Sequence, residues 1–141
     1  DPRCIEMRKT AEKEIENAIL DGYIFFISGM ALGFDTICAE IVLELKKKYP
    51  QIQLVCAIPC RNQDERWSDD YKLRYRKLLK KAHFIKYISD EYTNTCMLDR
   101  NDYMLKNSSK VIALFNGLQG GTASTISKAK KMGLETTIIK P

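Results

Sequence analysis

Five short apolar runs alternate with segments of helical spacing along the whole of this chain, and that alternation limits the fold more than any other feature. The runs are Tyr23 to Ser28, Ile52 to Ile58, Phe84 to Ile88, Val111 to Phe115 and Thr136 to Ile139. Each is β-prone and continuously apolar rather than alternating, the pattern of strands buried on both faces. The segments between them read as helices. The first opens at Asp1-Pro2, an N-cap followed by proline at the first helical position. It carries Ile5, Ala11, Ile15, Ala18 and Ile19 at helical spacing and stops at Asp21-Gly22. A second helix follows Gly33 and ends at about Lys48, before Pro50. Glu65 to Ala82 is mostly helical, and Cys96 to Asn107 and Thr122 to Met132 complete the set. Helices between strands predict an α/β fold: a mostly parallel sheet flanked by helices, in one domain spanning 1–141.

The bulk composition narrows the class. Hydrophobic residues make up 45% and charged residues 29% of 141 residues, a globular balance. The apolar runs are too short to cross a bilayer, and no charged-then-apolar leader opens the sequence, so a cytoplasmic protein without membrane contact is expected. The five cysteines form no CxxC pair and the single histidine, His83, stands apart from them, so no metal or other cofactor is expected. Cys60 reads either as a reactive thiol or, as expected for a reducing compartment, as one of several buried free thiols. The net charge is +5, and Lys72, Arg74, Arg76, Lys77, Lys80 and Lys81 form a basic stretch. It reads as a nucleic-acid surface or, more simply, as the solvated face of a helix. Trp67, Tyr71, Tyr75, Leu78, Leu79 and Ala82 recur at helical spacing and are expected to face the core rather than stack on bases.

Loops that follow the strands of a parallel sheet gather at its C-terminal edge, where ligands bind. The chemically unusual residues fall there. One loop runs Ser28-Gly29-Met30-Ala31-Leu32-Gly33-Phe34-Asp35, and a second carries Pro59, Cys60, Arg61, Asn62 and Gln63. The others are Cys96 to Asn101 and Asn116 to Thr122. The first loop sets two glycines before a helix start, so that backbone N–H groups can approach an anion, although it also reads as a plain glycine turn with Asp35 favouring the helix dipole. Gly120-Gly121-Thr122 repeats the arrangement and adds a hydroxyl. Arg100 offers a forked donor suited to phosphate oxygens, or a surface partner for Asp99 or Asp102. Asn101, Gln63 and Arg66 can hydrogen-bond a base or sugar. The candidate ligand-binding set is therefore Ser28, Gly29, Met30, Ala31, Gly33, Asp35, Pro59, Gln63, Arg100, Asn101, Asn116, Gly120, Gly121 and Thr122.

These segments also resemble known families. The SGMALGFD loop is similar to the SGxAxGxD loop of the DNA-processing protein A family, which binds single-stranded DNA. Met97 to Asn101, Met104 and Ser109 to Thr122 resemble the MxxRKxxM…PGGxGT stretch of the LONELY GUY phosphoribohydrolases. Both belong to the SLOG superfamily of Rossmann-like proteins. Over nearly its whole length the chain resembles YpsA-like SLOG proteins, through SGMALGxD, the IPCxxQxxRW segment, the CMxxRNxYM segment and a terminal GGT helix. The resemblance implies a Rossmann-like three-layer sandwich and leaves a homodimer open. It also implies a strand and a GHRP-like loop ahead of the first helix, which this chain lacks; that strand is central, so its absence is expected to split the sheet.

The resemblance carries over only in part. In the phosphoribohydrolases an arginine and a glutamate serve the cleavage of an N-glycosidic bond. The arginine matches Arg100, the glutamate position is Thr125, the following lysine is Asn101, and PGG is replaced by Gly117-Leu118-Gln119. Threonine cannot serve as a carboxylate. The expected function is therefore binding of a nucleotide or nucleotide-derived phosphate ligand, as a sensor or sequestering protein without catalysis. The alternatives are a nucleoside-monophosphate phosphoribohydrolase-like enzyme that uses Arg100 as its catalytic residue, and a single-stranded DNA binder.

Overall fold

A computed structural model describes residues 2–115 and 121–140. Helix and strand alternate throughout: α1 (Pro2–Leu20), β1 (Phe25–Ser28), α2 (Phe34–Lys46), β2 (Gln53–Cys60), α3 (Asp69–Lys81), β3 (Phe84–Ser89), α4 (Cys96–Lys106), β4 (Lys110–Leu114), α5 (Gly121–Lys131) and β5 (Glu135–Ile139). Every strand pair is parallel. The fold is Rossmann-like α/β, with parallel strands alternating with helices.

The strands form two sheets, one ordered β1-β2-β3 and the other β4-β5. In the first, Ser28 lies opposite Cys56 and Cys56 opposite Ile85. In the second, Lys110 lies opposite Glu135. The split is what a missing central strand produces, and it shows in the burial. Residues 56–60 of β2 are buried at every position, whereas β1 runs from exposed Phe25 to buried Ser28 and all of β4 is half-buried. Burial at successive positions requires cover on both faces, and α2 and α4 both pack on β2.

α1 packs on α2, and α2 on α3. Met7, Ala11, Ile15, Ala18 and Ile19 form the buried stripe of α1 and join Ile41, Val42, Leu54 and Ile58 in the core. Each large aliphatic side chain buried this fully contributes roughly 1.5–3 kcal/mol.

Local structure departs from the expected pattern at a few points, each with a physical reason. Ile5 is exposed, one turn before the stripe reaches cover. Residues 61–66 form turns rather than helix, because Ser68 caps α3 by accepting from the Tyr71 amide at 3.4 Å. The late start rotates Tyr71 outward, where it is exposed with the Arg74 guanidinium 5.9 Å from its ring centre, while Tyr75 and Leu78 do reach the core. β2 continues through Pro59 and Cys60, placed in a loop by the sequence pattern. Hydrogen bonding turns the odd-numbered residues of β2 toward β1, as Gln53 N–H donates to the Ile24 carbonyl. β1 ends at Ser28, opposite Cys56, so the absent N–H of Pro59 costs no ladder bond.

Candidate functional site

The loop after β1 is held by its own polar groups. Ser28 Oγ donates to the Asp35 carbonyl at 2.9 Å and accepts from the Met30 amide at 3.1 Å. The Ala31 amide donates to Asp35 Oδ2 at 3.2 Å. Gly33, at φ +103, turns the chain into α2, where its carbonyl accepts from the Ile37 amide and the Thr36 hydroxyl. Met30 also has a positive φ, 57°, and is fully buried. Gln63 Nε2 braces it by donating to the Met30 carbonyl at 3.2 Å and to Tyr75 at 3.3 Å. The amides of Met30 and Ala31 are thus already committed within the loop. Those left to meet an anion belong to Phe34, Asp35 and Thr36, ahead of the first intrahelical bond of α2.

Arg100 comes from α4 and is 6% exposed. Its Nη1 donates to the Gly29 carbonyl at 2.6 Å, Nε to Asn101 Oδ1 at 2.8 Å, and Nη2 approaches the sulfur of Met97 at 3.8 Å. Neither neighbouring aspartate is its partner: Asp99 accepts from Thr95 and Asp102 pairs with Lys128. Arg100 Nη1 and Asp35 Oδ2 stand 2.8 and 2.9 Å from the point that a Cβ on Gly29 would occupy, so only glycine fits between them. Burial raises the Asp35 carboxyl above its ordinary value, against the pull of the Arg100 charge and the Ala31 amide. Burial likewise lowers Arg100, opposed first by Asp35.

Above this pair opens a hollow of about 630 Å³ between β1 and β4. Ala31 and Asp35 reach it from the loop after β1, Arg100 and Asn101 from α4, and Thr122 and Thr125 from α5. Asn101 Nδ2 donates to Thr125 Oγ1 at 3.3 Å, tying the two helices together at its floor. Ser28, Gly29, Met30, Gly33 and Gln63 shape the loop from beneath. Pro59 is fully buried. Gly121 is the first residue of α5, and the expected ligand residues Asn116 and Gly120 lie outside the described residues.

Other expectations can be placed beside this geometry. Cys60 is buried at the end of β2 against Cys96, and its thiol is raised chiefly by that burial, which suits an inert thiol. His83 is occupied as well, its Nδ1 accepting from the Leu54 amide at 3.0 Å. Among the described residues no cluster of His, Cys, Asp or Glu suited to a metal occurs, and no helix is long and apolar enough to cross a membrane. Sequence reasoning missed two lining groups, Ser108 and Lys110. Lys110 is nearly buried and pairs with Glu135 at 3.5 Å; a lysine opening an apolar run was its one signal.

Comparison with known proteins fixes the family. The model of the YpsA family, described as the YspA SLOG family, matches residues 1–138. The uncharacterized SPbeta prophage-derived protein YoqJ of Bacillus subtilis is 34% identical over 118 residues, covering 75% of this chain and 69% of that protein. A UPF0398 protein of Brevibacillus brevis is 31% identical over 130 residues, 89% of this chain and 65% of its own. Another, of Halalkalibacterium halodurans, is 28% identical over 84% of this chain and 64% of its own. The chain therefore matches about two thirds of the length of these relatives. With a family model matched over almost its full length, the chain belongs to the YpsA family of SLOG proteins.

Proposed function

We propose that the chain binds a nucleotide or a nucleotide-derived phosphate ligand at the C-terminal edge of its strands, as a sensor or sequestering protein. One observation carries this reading: a single hollow of about 630 Å³ takes its lining from the loop after β1, from α4 and from the start of α5. Its size suits a mononucleotide. Leu32, Met97 and Ile126 offer apolar walls to a base, and Asn101 an amide to its edge. The first turns of α2 and α5 supply unpaired amides and positive dipole ends to a phosphate.

Thermal stability against a panel of mono-, di- and cyclic nucleotides tests it. A ligand at about a hundred times its dissociation constant adds roughly 2.7 kcal/mol. The expected result is a saturable gain for one class, lost in Thr122→Glu, which sets a carboxylate at the first turn of α5. A flat response across the panel sinks the proposal.

A hydrolytic reading keeps one supporting observation, that Asp35 brings a carboxylate to the hollow where position 125 offers none. It requires free base to appear from a nucleotide panel and to vanish in Asp35→Asn. Single-stranded DNA binding keeps exposed Tyr71 beside Arg74, and requires affinity that falls steeply with salt.

A further inference from the structure

β1 and β4 border a second, deeper space of about 410 Å³ that continues the hollow; Asp35, Met104 and Ile112 line both. Its walls are mainly apolar: Ile15 and Ala18 of α1, Val42 of α2, Met104 of α4, Phe25 of β1 and Ile112 of β4. Two backbones face into it. The bond from Gln53 N–H to the Ile24 carbonyl turns the even-numbered residues of β1 toward β2, so the peptide groups of Phe25 and Ile27 point the other way. The bond from Phe115 N–H to the Ile139 carbonyl likewise turns odd-numbered residues toward β5, leaving those of Lys110, Ile112 and Leu114 turned to the slot. Two rows of donors and acceptors thus confront each other between helices. An apolar small molecule fills volume but satisfies neither row.

We infer that this slot seats a β-strand, parallel to β1 and β4 and hydrogen-bonded to both, supplied by the segment of polypeptide leading into α1. The place of α1 argues for that source. Its first turns, Pro2 to Thr10, lie beside Lys140, just past the end of β5, so the helix begins at the C-terminal edge. A strand running parallel through the slot emerges at that edge. α1 then descends and delivers the chain to β1, the slot's own neighbour, as a short βαβ crossover does. Helices cover the slot on both faces, so the segment is apolar at four to six or so successive positions and free of proline within them. Its C-terminal end would become a further wall of the hollow above Asp35 and Arg100, whatever ligand that hollow takes.

The test compares the 141-residue chain with one extended by the residues that its own gene encodes before Asp1. Amide exchange is read at Phe25, Ile27, Lys110 and Ile112, together with alkylation of Cys38, which lines the slot. Extension is expected to slow both by more than about tenfold. Equal rates in the two chains overturn the inference, as does a preceding segment broken by proline or by alternate charges. Protection of the shorter chain that grows with its concentration assigns the slot to a second copy and overturns it too. A small apolar molecule that still protects these amides in the extended chain does the same. Should the shorter chain not fold alone, a synthetic peptide of the preceding segment, added in trans, is expected to restore folding; no rescue overturns it.

Discussion

Arg100 Nη1 donates to the Gly29 carbonyl at 2.6 Å, joining two residues 71 positions apart and fastening α4 to the loop after β1. The guanidinium that the sequence offered to a phosphate is largely spent on the protein's own backbone. It acts as a strut beneath the hollow, and what a ligand meets is the loop and the helix starts that this strut holds in place.

Gly29 and Gly33 are expected to fail for different reasons. A Cβ at Gly29 meets Arg100 Nη1 and Asp35 Oδ2, both buried, so Gly29→Ala is expected to cost about 2 kcal/mol through displacement of that pair. At Gly33 a Cβ meets nothing within 4 Å, and the cost of Gly33→Ala is backbone strain at φ +103, about 1 kcal/mol. Urea unfolding of both variants checks this, and an unaffected Gly29→Ala contradicts it.

Arg100→Lys is not a conservative change here. One ammonium cannot reach the Gly29 carbonyl and Asn101 together, so a loss of about 2 kcal/mol is expected, and about 3 kcal/mol for Arg100→Ala, which leaves the carbonyl unpaired. Proteolysis within the loop after β1 should rise in step. Stabilities within ~0.5 kcal/mol of wild type would show that the strut bears little of the fold.

Asp35 sets a slope of stability with acid. Its folded carboxyl lies above the ordinary 3.8, so the folded chain holds its proton more tightly than the unfolded one. The stability gained is complete below 3.8 and is lost as pH rises through the folded value. Asp35→Asn removes that loss, and the variant should gain on wild type across this window. Parallel curves of melting temperature against pH for the two proteins refute the assignment.

Burial pushes the Cys56 and Cys38 thiols up to about 12 from 9.0. Exposed Cys4 should react with a thiol reagent at mild alkaline pH long before either. Cys56 is fully buried, and its thiol stabilises the fold at neutral pH; that contribution declines as pH rises from 9.0 toward 12, by about 1.4 kcal/mol per pH unit. Unfolding free energies of wild type and Cys56→Ala between these values should converge with rising pH. A constant gap contradicts this.

The order and type of the elements were legible in the sequence because continuous apolar runs and helical stripes are local patterns read within a few residues. Every strand and helix lies where those patterns put it, give or take a residue or two, apart from the late start of α3 and the extension of β2 through Pro59. The gathering of Ala31, Asp35, Arg100 and Asn101 at one edge was legible as well, since parallel topology sends every loop after a strand to the same side. Tertiary structure alone decided which groups at that edge stay free. Arg100 turned inward because the Gly29 carbonyl, far away in sequence, was the acceptor within reach, and Asp35 became a buried carboxyl because α4 closed over it. The slot between β1 and β4 was likewise settled by packing, since a strand's pattern shows that it wants neighbours without showing whether both are there.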